Sequence, residues 1–198
     1  MAITEHGTRA RLTGLLVILA ALCTGVSASA PPATGPSPDV RDGSFESAAA
    51  KANFVHFARG AQLGPWMVGG AGGVDLVGNY WHAADGKQSL HLSRDGAVAQ
   101  ELATEPGRSY QLRFALAGNP DGQQPLKHLE LWWNGKLIDT IAFDTTGHTR
   151  DEMGWRYFTY TLPATDTVTR LRFNANDQEQ WGPAIDQVSV TRAPASGK

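Results

Sequence analysis

Cysteine is almost absent from this chain of 198 residues, which contains one, Cys23. An internal disulfide framework is therefore excluded, and stability has to come from an apolar core or from bound metal. After residues 12–22 the chain also lacks a long apolar run, and it has no run of basic residues. Together with a formal net charge of −2, these gaps argue against nucleic-acid binding and against a membrane anchor.

The sequence patterns of common enzyme classes are missing as well. There is no Gly-x-Ser-x-Gly nucleophile elbow and no His-Glu-x-x-His zinc motif. The glycine cluster at residues 69–73 is not closed by Gly-Lys-Ser/Thr, so it is not a phosphate loop. Asp151 and Glu152 are adjacent and would point to opposite faces of a strand, so they would not flank one glycosidic bond. We therefore expect a protein that is not an enzyme.

Residues 1–28 have the pattern of a cleavable secretory signal peptide. Arg9 and Arg11 supply the positive charge, residues 12–22 are apolar, and residues 26–28 fit a small-residue cleavage site. A membrane span is the alternative, but it needs about 20 apolar residues. The pattern predicts a secreted protein, extracellular or periplasmic, with no membrane anchor in the mature chain.

Segments rich in small and polar residues flank the remaining sequence. Residues 29–40, rich in proline, serine and alanine, predict a solvated linker, and residues 194–198 predict a flexible tail. Residues 41–193 lie between them and show no internal repeat. That length suits one domain with a substantial core.

Apolar and polar residues alternate with a period of two through most of this domain, which predicts strands. Residues 110–116 and 129–133 show the alternation most clearly, and Asn134-Gly135 predicts a tight turn because both residues tolerate positive φ. About nine such segments are separated by turn signals, and residues 46–52 are the one short helix candidate. The pattern predicts an all-β jelly-roll sandwich.

Several short phrases occur in an order that resembles a known family. They are GSFE at 43–46, VGGAGGVDLVGNYWHAADGKQSLHL at 68–92, FALAGNP at 114–120, MGW at 153–155 and GPAIDQV at 182–188. The set resembles the bacterial choice-of-anchor C family and is similar to plant cell-wall proteins built from domain of unknown function 642. The resemblance covers residues 42–192. It implies a secreted galactose-binding-like β-sandwich that binds polysaccharide or cell wall, with no established catalysis.

Carboxylates at opposite ends of the domain form a candidate calcium site. Glu46 and Asp186 would meet if the first and last segments run side by side, and Asp42 would add a third carboxylate. Calcium takes six to eight oxygen ligands. Asp186 precedes Val188 by two and is expected to share its inward face, where a carboxylate needs a partner or a metal. The alternative is that backbone N–H groups, arginine or lysine satisfy Glu46 and Asp186.

Aromatic residues supply the candidate ligand platform, because the C–H faces of sugar rings stack on flat aromatic surfaces. Trp132 is the first candidate, since it shares a face with His128 and Glu130 rather than with leucines. The further candidates are Tyr80, Trp81, Trp155 and Tyr157. The alternative for each tryptophan is a place in the core.

These observations favour a secreted, non-catalytic carbohydrate-binding module that recognises cell-wall or extracellular polysaccharide and holds a structural cation. One alternative is a structural or adhesive protein of the envelope or matrix whose partner is another protein. The other alternative is a glycan hydrolase or lyase whose motifs the sequence does not reveal.

Overall fold

A computed structural model describes residues 38–177 and 179–194 of the chain. The predicted signal peptide, the predicted linker up to residue 37 and the tail from residue 195 lie outside these residues. Within the described ranges the chain forms twelve strands and no helix, so no helix there qualifies as a membrane span. The predicted helix candidate at residues 46–52 forms bends and irregular backbone instead.

The strands are β1 (Phe54–Phe57), β2 (Gln62–Leu63), β3 (Trp66–Gly69), β4 (Val74–Val77), β5 (Ser89–Leu92), β6 (Ala97–Ala103), β7 (Ser109–Gly118), β8 (Leu126–Trp133), β9 (Lys136–Asp144), β10 (Arg156–Pro163), β11 (Val168–Ala175) and β12 (Pro183–Arg192). Two six-stranded sheets form the sandwich. The first sheet has the order β1-β4-β5-β12-β7-β10, and the second has the order β2-β3-β6-β11-β8-β9. The predicted all-β sandwich is therefore confirmed.

Alternation along β7 and β8 places apolar side chains between the two sheets. In β8 one face is buried and the opposite face is half-buried, as predicted. The buried face carries Leu129, Leu131 and Trp133, and the half-buried face carries His128, Glu130 and Trp132. Phe114 of β7 and Phe173 of β11 meet edge to face with ring centroids 4.9 Å apart, which joins the sheets through aromatic contact. Asn134 and Gly135 both have positive φ, which confirms the predicted turn.

The segment of residues 38–50 lies against β12, so the predicted proximity of the domain's two ends is confirmed. The N–H of Val188 donates to the carbonyl oxygen of Gly43 at 2.9 Å. A Cβ atom on Gly43 would lie 1.9 Å from the Val188 carbonyl oxygen, so the close approach requires glycine. Residues 42–45 form a turn here rather than a strand.

Two buried glutamines fasten this segment to the sandwich. Gln100 of β6 exchanges two hydrogen bonds with the backbone of Arg41, at 2.9 and 3.0 Å. Gln88 bonds three backbone groups between residues 45 and 50. Phe45 is fully buried and lies 5.6 Å from the Trp66 ring. The segment is therefore part of the core and not an extension of the linker.

Strand β12 contains a bulge at Gln187, whose φ is 48°. Two residues of β7 that are two apart pair with Asp186 and Ser189, which are three apart. Because the extra residue shifts the alternation, Asp186 and Val188 lie on opposite faces of the strand. The expectation that they share the inward face is therefore wrong. The sequence did not reveal the bulge, because a bulge of this kind leaves the apolar pattern unchanged.

Substitution of Gly43 by alanine is expected to destabilise the domain by about 2–3 kcal/mol, because the new methyl group collides with backbone rather than with a flexible side chain. Thermal unfolding of Gly43→Ala and wild type measures the loss. Ala49→Ser, at an exposed position in the same segment, is the matched control and should unfold like wild type. An unchanged melting temperature for Gly43→Ala would show that the segment does not rest on β12.

Candidate functional site

A cavity of about 600 Å³ opens on the first sheet beside β1, β4 and β5, and we call it the first-sheet cavity. The strands supply its floor, and loops around residues 71–72, 119–121 and 180–181 supply its walls. Its lining mixes polar and aromatic side chains, chiefly His56, Asp75, His91, Asp121, Tyr80 and Trp181. Cavities of this size and mixed lining are typical of small-ligand sites.

Three side chains from neighbouring strands form a hydrogen-bonded row across the cavity floor. His56, Asp75 and His91 are direct partners in the register of β1, β4 and β5, so they share one face of the sheet. Asp75 lies at the centre, with one oxygen 2.7 Å from His56 Nδ1 and the other 2.9 Å from His91 Nδ1. Ser93 adds a third bond to the same carboxylate at 3.2 Å.

The backbone fixes which nitrogen of His91 carries a proton. The N–H of Gly182 donates to His91 Nε2 at 3.0 Å, so Nε2 is the acceptor and the proton resides on Nδ1. His91 Nδ1 then donates to Asp75. His91 is 4% exposed, whereas the side chain of His56 is 51% exposed at the cavity.

Asp75 is held in its charged form. Burial on its own raises the pKa of this carboxyl, but the hydrogen bonds from His91 and His56 outweigh burial and hold the pKa below its usual value. Asp75 is therefore an ionised acceptor at neutral pH. A charged acceptor of this kind is suited to hydroxyl donors from a ligand.

Asp121 anchors another part of the cavity wall. It accepts two hydrogen bonds from Arg150, at 3.0 and 2.9 Å, and one from the Tyr80 hydroxyl at 2.6 Å. The guanidinium of Arg150 also lies 4.0 Å from the centre of the Tyr80 ring. One face of Tyr80 is thus covered by Arg150, so stacking of a ligand on that face is blocked.

Trp181 belongs to the loop between β11 and β12. It is half-buried, and it forms no ring pair with another aromatic residue in the described part of the chain. Its neighbour Gly182 accepts the N–H of Asn119 at 3.0 Å, which joins this loop to the loop of Asp121. Trp181 is therefore the aromatic wall residue best placed to stack on a ligand.

Two of the predicted platform residues, Tyr80 and Trp81, line this cavity, but they differ in exposure. Tyr80 is half-buried, and Arg150 covers one face of its ring. Trp81 is 4% exposed, its indole N–H donates to Ser89 Oγ at 2.8 Å, and its ring meets the edge of His91. Trp81 therefore supports the cavity floor, which is the core placement given above as the alternative for each tryptophan.

The first predicted platform lies elsewhere, on the outer face of the second sheet. Trp132 donates to Glu130 at 2.9 Å, and Arg172 lies 5.9 Å from the Trp132 ring centre. His128 is 3.1 Å from Asp177. These side chains do form one half-buried polar surface, as predicted, but they take no part in the first-sheet cavity.

The remaining predicted pair lies beyond the cavity as well. The Trp155 indole donates to the carbonyl of His82 at 2.9 Å. Tyr157 is 47% exposed on β10, where Arg113 stacks over its ring at 4.0 Å. Sequence reasoning therefore found Tyr80 and Trp81 but missed the other cavity residues: His56, Asp75, His91, Asp121 and Trp181. One signal was present, since Asp75 and His91 each lie between two apolar residues of a short strand.

The predicted metal ligands Glu46 and Asp186 converge on one loop, residues 84–88. Glu46 Oε1 accepts the N–H groups of Lys87 and Gln88, each at 2.7 Å. Asp186 Oδ2 accepts two N–H groups of the same loop at 2.9 Å, and its Oδ1 accepts the N–H of residue 187. Burial raises the pKa of Asp186 to about 7, against the lowering effect of these three bonds.

The surroundings of these carboxylates match the alternative of backbone capping. Asp42 likewise accepts the N–H and the hydroxyl of Ser47. No group of three or more acidic, histidine or cysteine side chains within residues 38–177 and 179–194 has metal-site geometry. These N–H groups occupy carboxylate lone pairs that a calcium ion would otherwise use. Calcium binding stays a prediction from the sequence.

A β-sandwich with a polar and aromatic cavity on one sheet is the class that these observations define. The chain belongs to the family described as protein of unknown function (DUF642), whose profile matches residues 39–191. It is also 28% identical over 133 residues to halomucin of Haloquadratum walsbyi (strain DSM 16790 / HBSQ001). That match covers 65% of this chain and 1% of halomucin.

Carbohydrate-binding modules are among the solved structures that this chain resembles. TmCBM61, in complex with β-1,4-galactotriose, is 17% identical with a TM-score of 0.52, covering 79% of this chain and 99% of that one. A family 35 module from Clostridium thermocellum is 17% identical with a TM-score of 0.49, and the match covers 72% of this chain and 100% of that one. The CBM22-1 xylan-binding domain of Xyn10C from Paenibacillus barcinonensis is 16% identical with a TM-score of 0.48, and the match covers 75% of this chain and 100% of that one. At 17% identity the likeness to TmCBM61 shows the fold alone.

The pKa of Asp186 should lie well above that of an ordinary aspartic acid. Because the pKa of Asp186 is about 7 in the folded state and 3.8 for an ordinary aspartic acid, the proton stabilises the fold most at acid pH, and this stabilisation is lost as pH rises towards 7. Carbon NMR of the labelled carboxyl measures the pKa directly. Asp186→Asn serves to assign the signal, and a midpoint below pH 4 would contradict the expectation.

A chelator separates N–H capping from calcium binding. If backbone N–H groups alone satisfy the carboxylates, then thermal unfolding in excess EDTA and in millimolar calcium should give the same melting temperature. A rise in melting temperature with the logarithm of the calcium concentration, abolished in Glu46→Ala with Asp186→Ala, would establish the sequence-predicted site instead.

Proposed function

We propose that this protein is an exported, non-catalytic carbohydrate-binding module that binds a polysaccharide in the first-sheet cavity. The observation that carries the proposal is the lining of that cavity. An ionised acceptor, Asp75, lies on its floor, while Trp181 and Tyr80 stand in its walls. A sugar needs both elements, because its hydroxyl groups require hydrogen-bond partners and its C–H faces stack on aromatic rings.

The likeness to carbohydrate-binding modules supports the same reading. TmCBM61 shares the fold and was solved with a galactan oligosaccharide, so the sandwich is a scaffold that accommodates a glycan ligand. Export rests on the predicted signal peptide, which is a prediction from residues 1–28 of the sequence. The choice-of-anchor C resemblance and a cell-wall target are likewise proposals.

The enzyme alternative has less support. A glycoside hydrolase needs a carboxylic acid that stays protonated at working pH, which requires a raised pKa. In the cavity the pKa of Asp75 is instead lowered. Release of reducing ends from a polysaccharide panel would revive this alternative.

The protein-binding alternative also has less support. The large exposed apolar side chains are spread over six different strands; they are Phe54, Met67, Leu126, Leu137, Tyr157 and Val168. A docking surface for another protein is normally a contiguous patch with a buried aromatic or aliphatic centre. One exposed apolar side chain on each of several strands is normal for a folded domain and does not by itself make such a patch.

Affinity gel electrophoresis against soluble galactan, arabinogalactan, xylan and glucan tests the proposal. Wild type should be retarded by at least one of these polysaccharides. Trp181→Ala should weaken binding about 30-fold, since loss of a central aromatic contact costs about 2 kcal/mol. Asp75→Asn should weaken binding as well, because the charged acceptor is lost.

Trp132→Ala is the matched control, because it removes an equally large half-buried ring from the other sheet. It should bind like wild type. Loss of retardation in Trp132→Ala with full retardation in Trp181→Ala would move the site to the second sheet. Absence of retardation of wild type by the whole panel would count against glycan binding itself.

A further inference from the structure

Lys127 is a buried cation at the end of the sandwich. It continues the inward-facing row of β8, and its side chain is 1% exposed. Its Nζ atom lies 3.8 Å from Glu179 Oε2, and within the described residues neither atom has a hydrogen-bond partner. Burial lowers the pKa of Lys127, while the charges of Glu179 and Asp177 raise it. A buried charge with so little compensation is costly, so packing alone does not account for a lysine here.

The amine lies where two loops of the first-sheet cavity meet. A Cβ atom on Gly122 would be 2.4 Å from Lys127 Nζ, 2.9 Å from Trp181 Cβ and 3.1 Å from Glu179 Oε2. The loop of residues 119–122 therefore touches both Lys127 and the loop of residues 179–182. These are the loops that supply Asp121, Gln180 and Trp181 to the cavity.

The loop of residues 179–182 is held from the cavity side by backbone hydrogen bonds. The Glu179 carbonyl accepts the N–H of Arg94 at 3.2 Å, and Gly182 bonds both His91 and Asn119 at 3.0 Å. On the inner side, its Glu179 carboxylate faces the Lys127 amine. The ion pair is thus the contact that attaches this loop to the sandwich interior.

We propose that Lys127 is a positioning residue for glycan binding, whose charge holds Glu179 and thereby fixes the loop that carries Gln180 and Trp181 as a cavity wall. The inference rests on the function proposed above. The side chain of Glu179 is 27% exposed, so without the lysine charge it can turn to water and take the loop with it. A residue that only filled space would leave the position of Trp181 unchanged when a side chain of similar shape replaced it.

Lys127→Met tests this, because methionine has a similar unbranched chain and lacks the charge. With the panel polysaccharide that retards wild type most as the probe, binding should weaken about tenfold. Amide hydrogen exchange without polysaccharide should become faster in residues 179–182 and stay unchanged at the turn of the β8–β9 hairpin, residues 134–135, which lies at the other end of β8 from Lys127. Lys136→Met, at an exposed position of that hairpin, should match wild type in both measurements.

Glu179→Gln completes a double-mutant cycle and remains informative if Lys127→Met does not fold. It should weaken binding to a similar degree, and the double variant should bind no more weakly than either single one, because both remove one interaction. Additive losses, or wild-type binding with unchanged exchange in Lys127→Met and Glu179→Gln, would overturn the inference. If wild type binds no polysaccharide of the panel, the proposed function fails, and exchange at residues 179–182 alone decides whether Lys127 holds the loop.

Discussion

The hydrogen-bonded row across β1, β4 and β5 is the interaction on which the cavity depends. Asp75 is a carboxylate in a short, mostly buried strand, and such a group is costly unless several donors satisfy it. His56 and His91 supply two of those donors. Through Gly182 the row extends to the loop of Trp181, so one chain of hydrogen bonds joins the cavity floor to its aromatic wall.

The same loop connects the cavity to the sandwich core. Its backbone bonds three elements of the first-sheet cavity, and Glu179 faces the buried amine of Lys127. Close packing also holds the segment of residues 38–50, because Gly43 lets it approach β12 and the buried side chains of Gln88 and Gln100 bond its backbone. Buried polar side chains thus hold both this segment and the loop that shapes the site.

Much of the fold was predictable because alternation records which side chains face the core. The tight turn at Asn134 and Gly135 followed from the tolerance of both residues for positive φ. The bulge at Gln187 was not predictable, because one inserted residue changes the facing of Asp186 without changing the apolar pattern. The prediction of about nine segments fell short of the twelve strands because β1 to β4 have two to four residues each, and glycines interrupt the alternation around them.

The site was harder to predict than the fold, since its residues come from strands and loops far apart in sequence. Trp132 was favoured because polar neighbours on its own strand mark an outward face, and that inference about the face was right. The sequence of a single strand does not show which outward face is also bordered by loops that form a cavity. His56, Asp75 and His91 become neighbours only through the strand order β1-β4-β5, which alternation does not reveal.

Chemical-shift mapping with a panel oligosaccharide is the most direct measurement of where a glycan binds. Titration of nitrogen-labelled protein should shift the indole N–H signal of Trp181 and the amide signals of Gln180 and Asp121, because these residues line the first-sheet cavity. The indole signal of Trp132 should stay in place. The reverse pattern, with Trp132 shifted and the cavity signals unmoved, would contradict the account.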